Sequence, residues 1–359
     1  MKKMLAFTLA AIMMLSLVAC GGNSSVQTEK PSEEPEVEAP AETPVETPAA
    51  EAEYKLGMGV MLNTDSSAAE KAQVDATMAT VVLDADGKIV LCRIDCVQNK
   101  MDIVGGTVDT AKEFQTKMEL GDAYGMVAYG NAIAEWDAQT KAFEEYVVGM
   151  TAAEVEAIAT TTNDHGYTVP ADEALYAGCT MQISEFMAAV VKACKDDKGQ
   201  TFKTGDTFTL GAAAISEASE SSAAAADADG VVKMYSEYGA AVVGADGKIL
   251  ACLNDATQPK ININTAGEIV SSDYKGTKRE LGDAYGMVAF GNAIAEWDAQ
   301  SAAFSEYAVG MTAAEVMAIE TTENDHGYQV PADEALYAGC TMQITGMMAV
   351  IARAAEYAR

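Results

Sequence analysis

Asp172-Glu173-Ala174-Leu175-Tyr176-Ala177-Gly178-Cys179-Thr180-Met181-Gln182-Ile183 recurs, residue for residue, at 333–344, where the threonine is Thr341. Working outward, Asp86-Gly87-Lys88-Ile89 returns as Asp246-Gly247-Lys248-Ile249, and the cysteine that follows it, Cys92, returns as Cys252. Leu120 to Ala128 recurs at 281–289, and Asn131 to Gln139 at 292–300. The offset between the copies shifts by a single residue from the first match to the last. Repeats of this length are too long for solenoid units and suit whole domains. The chain of 359 residues is therefore expected to carry one domain twice, at 54–200 and 201–359. The polar, glycine-containing stretch from Lys195 to Gly205 is the expected joint, and each copy is expected to fold alone.

Within a copy, strands come first and helices later. Ala76 to Leu83 is rich in β-branched residues and alternates, Asp84-Ala85-Asp86-Gly87 is turn material, and Lys88 to Asp95 returns as a second strand. This is a hairpin. Tyr129, Ile133, Trp136, Phe143 and Val147 fall on one face of a helix expected to run to about Tyr146. Phe290, Ile294, Trp297 and Phe304 repeat that face. Thr151-Ala152-Ala153-Glu154 is a capping box that opens a short helix with Val155 and Ile158 inward. A last helix, capped by Ser184 or Thr345, turns Met187, Val190, Val191 and Cys194 inward. The expected class is α+β, two tandem copies of a small antiparallel sheet with helices packed on it.

The start of the chain reads as an address. Met1-Lys2-Lys3 is basic, Met4 to Val18 is apolar, and Leu17-Val18-Ala19 precedes Cys20. The apolar run is short for a membrane span and fits a signal peptide over residues 1–19. Cys20, followed by Gly21 and Gly22, looks like a lipobox cysteine that takes a diacylglycerol; an ordinary signal peptide is the alternative. Residues 20–53 then form a lipid anchor and a disordered linker, with Pro31, Pro35, Pro40, Pro44 and Pro48 among acidic residues. Extended at about 3 Å per residue, this acidic Pro-rich stalk spans on the order of 90 Å. The expected location is the extracellular face of a bacterial cell membrane, held there by lipid.

The Gly-Cys-Thr turn ahead of an apolar helix, downstream of the hairpin and of Gly-Asp-Ala-Tyr-Gly-Met, resembles the attachment segment of the FMN-binding domain family. In that family a transferase moves FMN from FAD onto a threonine hydroxyl. The resemblance implies covalent FMN on Thr180 and Thr341, with a flavin transferase, a membrane electron donor and an extracellular acceptor as partners. Gly178 and Gly339 would keep the backbone beside the hydroxyl pliable. Tyr124 and Tyr285 are candidates for stacking on the ring, whereas Trp136 and Trp297 lie on the inward helical stripe. The string departs from the family's at Ala174, Ala177 and Cys179, where an aspartate, a serine or threonine, and an alanine are usual. Ala335, Ala338 and Cys340 depart in the same way.

Net charge adds an independent reason for a covalent link. At −31, the chain repels a free flavin phosphate, and an ester makes the local concentration independent of bulk. A second explanation is solubility. Cys92 with Cys179, and Cys252 with Cys340, are conceivable disulfides in an exported protein. His165 and His326 sit singly in turn-like loops, which does not make a metal site. No basic or aromatic pattern suggests nucleic acid, and no catalytic motif stands out. Two functions remain: an extracellular flavin carrier, and a cofactor-free scaffolding or binding lipoprotein with an acidic tandem domain.

Overall fold

A computed structural model describes residues 51–359. The signal peptide, Cys20 and nearly all of the Pro-rich stalk lie outside these residues.

The long hairpin forms where the sequence places it. β1 (Ala52–Asn63), β2 (Lys71–Leu83) and β3 (Ile89–Asp102) pair antiparallel, and the turn between β2 and β3 is tied by Asp84 Oδ1, which accepts from the amides of Asp86 and Lys88. Gly87 takes φ +73° there, a conformation that suits glycine. Then come α1 (Lys117–Leu120), α2 (Met126–Gly130), α3 (Trp136–Tyr146), α4 (Ala152–Glu156), the hairpin β4 (Thr160–Thr162) and β5 (Thr168–Pro170), α5 (Glu173–Gly178) and α6 (Ser184–Cys194).

The order returns after β6 (Gln200–Thr204). β7 (Phe208–Glu217), β8 (Gly230–Lys233), β9 (Tyr235–Gly244), β10 (Ile249–Thr257), β11 (Lys260–Ile263) and β12 (Ile269–Asp273) precede α7 (Lys278–Leu281), α8 (Met287–Gly291) and α9 (Trp297–Ala308). α10 (Ala313–Met317), β13 (Thr321–Glu323), β14 (Gln329–Pro331), α11 (Glu334–Tyr337) and α12 (Thr345–Glu356) complete it. The class is mixed α+β with antiparallel sheets.

Alternation along β2 shows how the layers stack. Ala79, Val81 and Leu83 face a core made with α3 and α6, through Phe143, Phe186 and Val190. Ala76, Met78 and Val82 point the other way, into a second core where they meet Leu210, Ala214, Tyr238, Ala240 and Val242 of β7 and β9. The sheets β3-β2-β1-β6 and β10-β9-β7 thus lie against each other, with helices on their outer faces. Gly57 lets α6 settle on β1: a Cβ there would stand 2.1 Å from the Ala193 carbonyl oxygen. Gly211 does the same for α12, with 1.8 Å to the Ala354 oxygen.

Several expectations change. The two copies do not bury their sheets separately, and the expected joint contains β6, which pairs with β1. Ion pairs cross between them: Arg279–Asp196 at 3.1 Å is buried, and Glu144 receives Arg359 at 3.0 Å. The helix expected from Tyr129 begins only at Trp136. Asn131 takes φ +53° and ends α2, leaving Tyr129 91 % and Ile133 56 % exposed, with Phe290 and Ile294 likewise. Ser184 and Thr345 do not cap the last helices; the cap positions are Ile183 and Ile344, and the Ser184 hydroxyl accepts from Gln182 Nε2 instead. Cys92, Cys179, Cys252 and Cys340 are free thiols packed in the helix-facing cores, so neither conceivable bridge forms.

Candidate functional site

Thr180 follows α5, whose N-terminus is capped by Asp172 through the amides of Ala174 and Leu175. Asp172 is therefore engaged as a cap. The extended residue Cys179 ends the helix with its side chain fully buried. The chain there meets the first turn of α3, where Gln139 is 0 % exposed. Gln139 Oε1 accepts from the Thr180 amide at 2.9 Å and from its hydroxyl at 3.2 Å, while Nε2 donates to the Ala134 carbonyl at 2.8 Å. Gln300 holds Thr341 in the same way, at 2.8 and 3.3 Å.

Gly178 and Gly339 do not serve as pliable links. Neither has positive φ, and a Cβ on Gly178 would lie 2.7 Å from that of Ala142 on α3. Gly339 meets Ala303 at 2.8 Å. These glycines let α5 and α11 approach the longer helix, and they fix the position of the threonine turn.

Each threonine opens onto a cavity, of about 600 Å³ in the first copy and about 760 Å³ in the second. Tyr124 and Tyr285 line these cavities and are half-buried. Trp136 and Trp297 belong to the core and to the cavity wall at once. A lysine stands among these rings: Lys117 Nζ lies 5.1 Å from the Tyr124 centroid and 5.6 Å from Trp136. Lys278 lies 5.1 Å from Tyr285 and 5.5 Å from Trp297, within cation–π range.

The lysines are the first residues of α1 and α7, which are fixed by capping boxes at Thr116–Glu119 and Thr277–Glu280. Behind them, Asp95 Oδ1 accepts from the amides of Cys96 and Met118, and Asp255 Oδ1 from Ala256 and Arg279. Both aspartates are buried. Loss of water pushes Asp95 up to about 7 and Asp255 up to about 6.

A carboxyl whose folded pKa exceeds its unfolded value binds more protons when folded, so it favours the folded state at low pH. That contribution is lost as pH rises from about 4 through about 7, at up to about 1.4 kcal/mol per pH unit for each group. The melting temperature is expected to be higher at pH 5 than at pH 8. The double variant Asp95→Asn, Asp255→Asn keeps the acceptors and should flatten that dependence; an unchanged slope in thermal melts would rule these carboxyls out as its source.

Gln139, Gln300, Lys117 and Lys278 were not among the residues singled out from the sequence. The glutamines carried a signal, since an identical polar residue sits on the inward stripe of the same helix in both copies. The lysines carried none beyond their place after a capping threonine.

The site is thus a pair of aromatic, lysine-bearing cavities, each with a threonine hydroxyl at its wall, on a mixed α+β fold. The chain is 35 % identical over 125 residues to a chlorophenol reductase of Desulfitobacterium hafniense, covering 30 % of this chain and 38 % of that protein. It therefore spans about two-fifths of that relative's length. No protein-family model and no solved structure matches.

Proposed function

We propose that the protein is a surface lipoprotein carrying covalent FMN on Thr180 and Thr341, for electron transfer between a membrane donor and an extracellular acceptor. Two tandem FMN-binding-like domains stand on an acidic stalk anchored through Cys20. The observation that carries this reading is the repeated placement of a threonine hydroxyl on the wall of an aromatic cavity. Both cavity volumes fall in the range of small-molecule sites.

The residues present fit a flavin. Tyr124, Trp136 and their counterparts offer ring faces, Lys117 and Lys278 each set a cation in a chain otherwise strongly acidic, and Gln139 and Gln300 orient the hydroxyls. Bound FMN supplies reversible electron uptake and release. The partial likeness to a reductase associates the chain with redox chemistry and names no cofactor.

The test is intact mass after co-expression with a flavin transferase. Two increments, each one FMN less one water, are expected, together with a yellow protein; no increment would refute the carrier. The departures at Ala177 and Cys179 favour, as the second reading, a cofactor-free binding lipoprotein, for which an unmodified mass is the expected result.

A further inference from the structure

Each copy ends in a helix that starts beside its own threonine and finishes on the other copy. α6 follows Thr180, and its first turn places Glu185 and Phe186 on the wall of the first cavity. Further along, Lys192 Nζ donates to the Val60 carbonyl of β1 at 2.6 Å and is paired with Glu280 of α7. α12 follows Thr341 and sets Gly346 and Met347 on the wall of the second cavity. It then pairs Arg353 Nη1 with Glu119 of α1 at 2.9 Å. Lys192 corresponds to Arg353 between the copies, and Glu119 to Glu280, so the two ion pairs are one contact made twice and crossed.

The glutamates are the capping-box residues of the short helices that carry the cavity lysines. Glu119 accepts from the Thr116 amide on Oε2 at 3.0 Å, and from Arg353 on Oε1, with the Tyr357 hydroxyl at 3.5 Å from the same oxygen. Glu280 divides its oxygens in the same way, Oε2 to the Thr277 amide at 2.9 Å and Oε1 to Lys192. Each glutamate therefore joins the N-cap of a lysine helix, one residue before Lys117 or Lys278, to a cation on the other copy. A helix of four residues does not hold itself, because nucleation is unfavourable and its bonds are few. Its own copy ties α1 through the Met118 amide, to Asp95 at 3.3 Å, and α7 through the Arg279 amide, to Asp255 at 3.0 Å. The tie on the glutamate comes from the other copy.

The two clasps are unequal. α7 has a second one, because the buried Arg279, next to Lys278, is paired with Asp196 at 3.1 Å and donates to the Lys198 carbonyl at 2.7 Å, both just beyond the end of α6. The equivalent of Arg279 in the first copy is Met118, which carries no charge. Glu119 is also the more enclosed carboxylate, 13 % exposed against 39 % for Glu280, and a pair less screened by water counts for more. α1 thus depends on Arg353 more than α7 depends on Lys192.

We propose that Arg353 and Lys192 are positioning residues that act across the duplication: Arg353 of the second copy holds Lys117 in the first cavity, and Lys192 of the first copy holds Lys278 in the second. Each cavity is completed by the last helix of the other copy, and neither copy sets its cavity lysine unaided. This rests on the flavin reading only for what the two ammonium groups face; the clasps do not depend on it.

The full chain is tested by amide hydrogen exchange, followed separately in residues 117–120 and 278–281. Arg353→Met keeps an apolar stem and removes the cation; it is expected to speed exchange in 117–120 at least about tenfold and to change 278–281 less than about twofold. Lys192→Met is expected to do the converse, at least about threefold in 278–281, the smaller effect reflecting the second clasp at Arg279. Arg353→Lys and Lys192→Arg keep the charge and should match wild type. Arg353 and Lys192 are 39 % and 32 % exposed, so neither loss opens the core, and Arg353→Gln carries the test should Arg353→Met fail to fold. A second readout follows the lysine itself. The chain's two tryptophans stand one in each cavity, so with Trp297→Phe the emission of Trp136 reports the first cavity alone. There Arg353→Met should shift the emission and Lys192→Met should not. Unchanged exchange in the opposite copy, equal acceleration in both segments, or an unshifted Trp136 overturns the proposal. No flavin enters these measurements, so an unmodified mass would refute the carrier alone, and loss of the crossed pattern would overturn this inference alone.

Discussion

Thr180→Val and Thr341→Val are each expected to lower the bound flavin from two per chain to one, and the double variant to abolish it. Valine matches the shape of threonine and lacks only the hydroxyl. The amide bonds from residues 180 and 341 to Gln139 and Gln300, at 2.9 and 2.8 Å, do not depend on the side chain and hold the turn in place. What is lost besides the acceptor is one weak hydroxyl bond, on the order of 1 kcal/mol. Intact mass of the singles and the double checks this; two flavins on a single variant, or any on the double, would place the attachment elsewhere. If wild type carries none, the first copy can be restored to the family's string by Ala174→Asp, Ala177→Ser and Cys179→Ala. Ala174 and Ala177 are exposed and accept polar groups, and only the Cys179 change touches the core. Flavin on the restored copy alone would identify a competent fold with a decayed acceptor.

Separating the chain near Gln200 is expected to leave neither half folded. The first half would lose β6 from the edge of its sheet, and both would expose the faces that now meet in the shared core. Tyr238 shows what is at stake: its ring is 0 % exposed, and its hydroxyl is bonded to Thr257 at 3.0 Å within that core. Loss of one such large buried side chain costs about 3–5 kcal/mol, and separation exposes many together. Neither fragment alone should show a cooperative melt or near-ultraviolet circular dichroism, and co-expression should restore both. A cooperative melt from either isolated fragment would show that the halves are independent after all.

Much of the local structure was legible because its causes are local. The Asp84–Gly87 turn sets the β2–β3 hairpin from its own side chains, and Thr151 with Glu154 starts α4 by a reciprocal pair of bonds. The helical stripe misled at Tyr129 and Ile133 because periodicity ignores a left-handed residue such as Asn131, which ends the short helix holding Tyr129 and leaves Ile133 in the loop before Trp136. One clue to the shared core was present. The end of β2, Ala79 to Leu83, is apolar on both faces except at Thr80, as in a sheet covered on both sides.

By itself the sequence determined the duplication, the hairpins, the capping boxes and the presence of two equivalent threonines, since each depends on identity or on neighbours a few residues apart. Tertiary structure alone decided what surrounds those threonines. Gln139 and Thr180 are 41 residues apart along the chain and bonded in space, and Lys278 reaches Tyr235 across 43. Glu237 of β9 and Gly346 of α12 are 109 residues apart along the chain, and only the packing of α12 on β9 brings the carboxyl against that glycine.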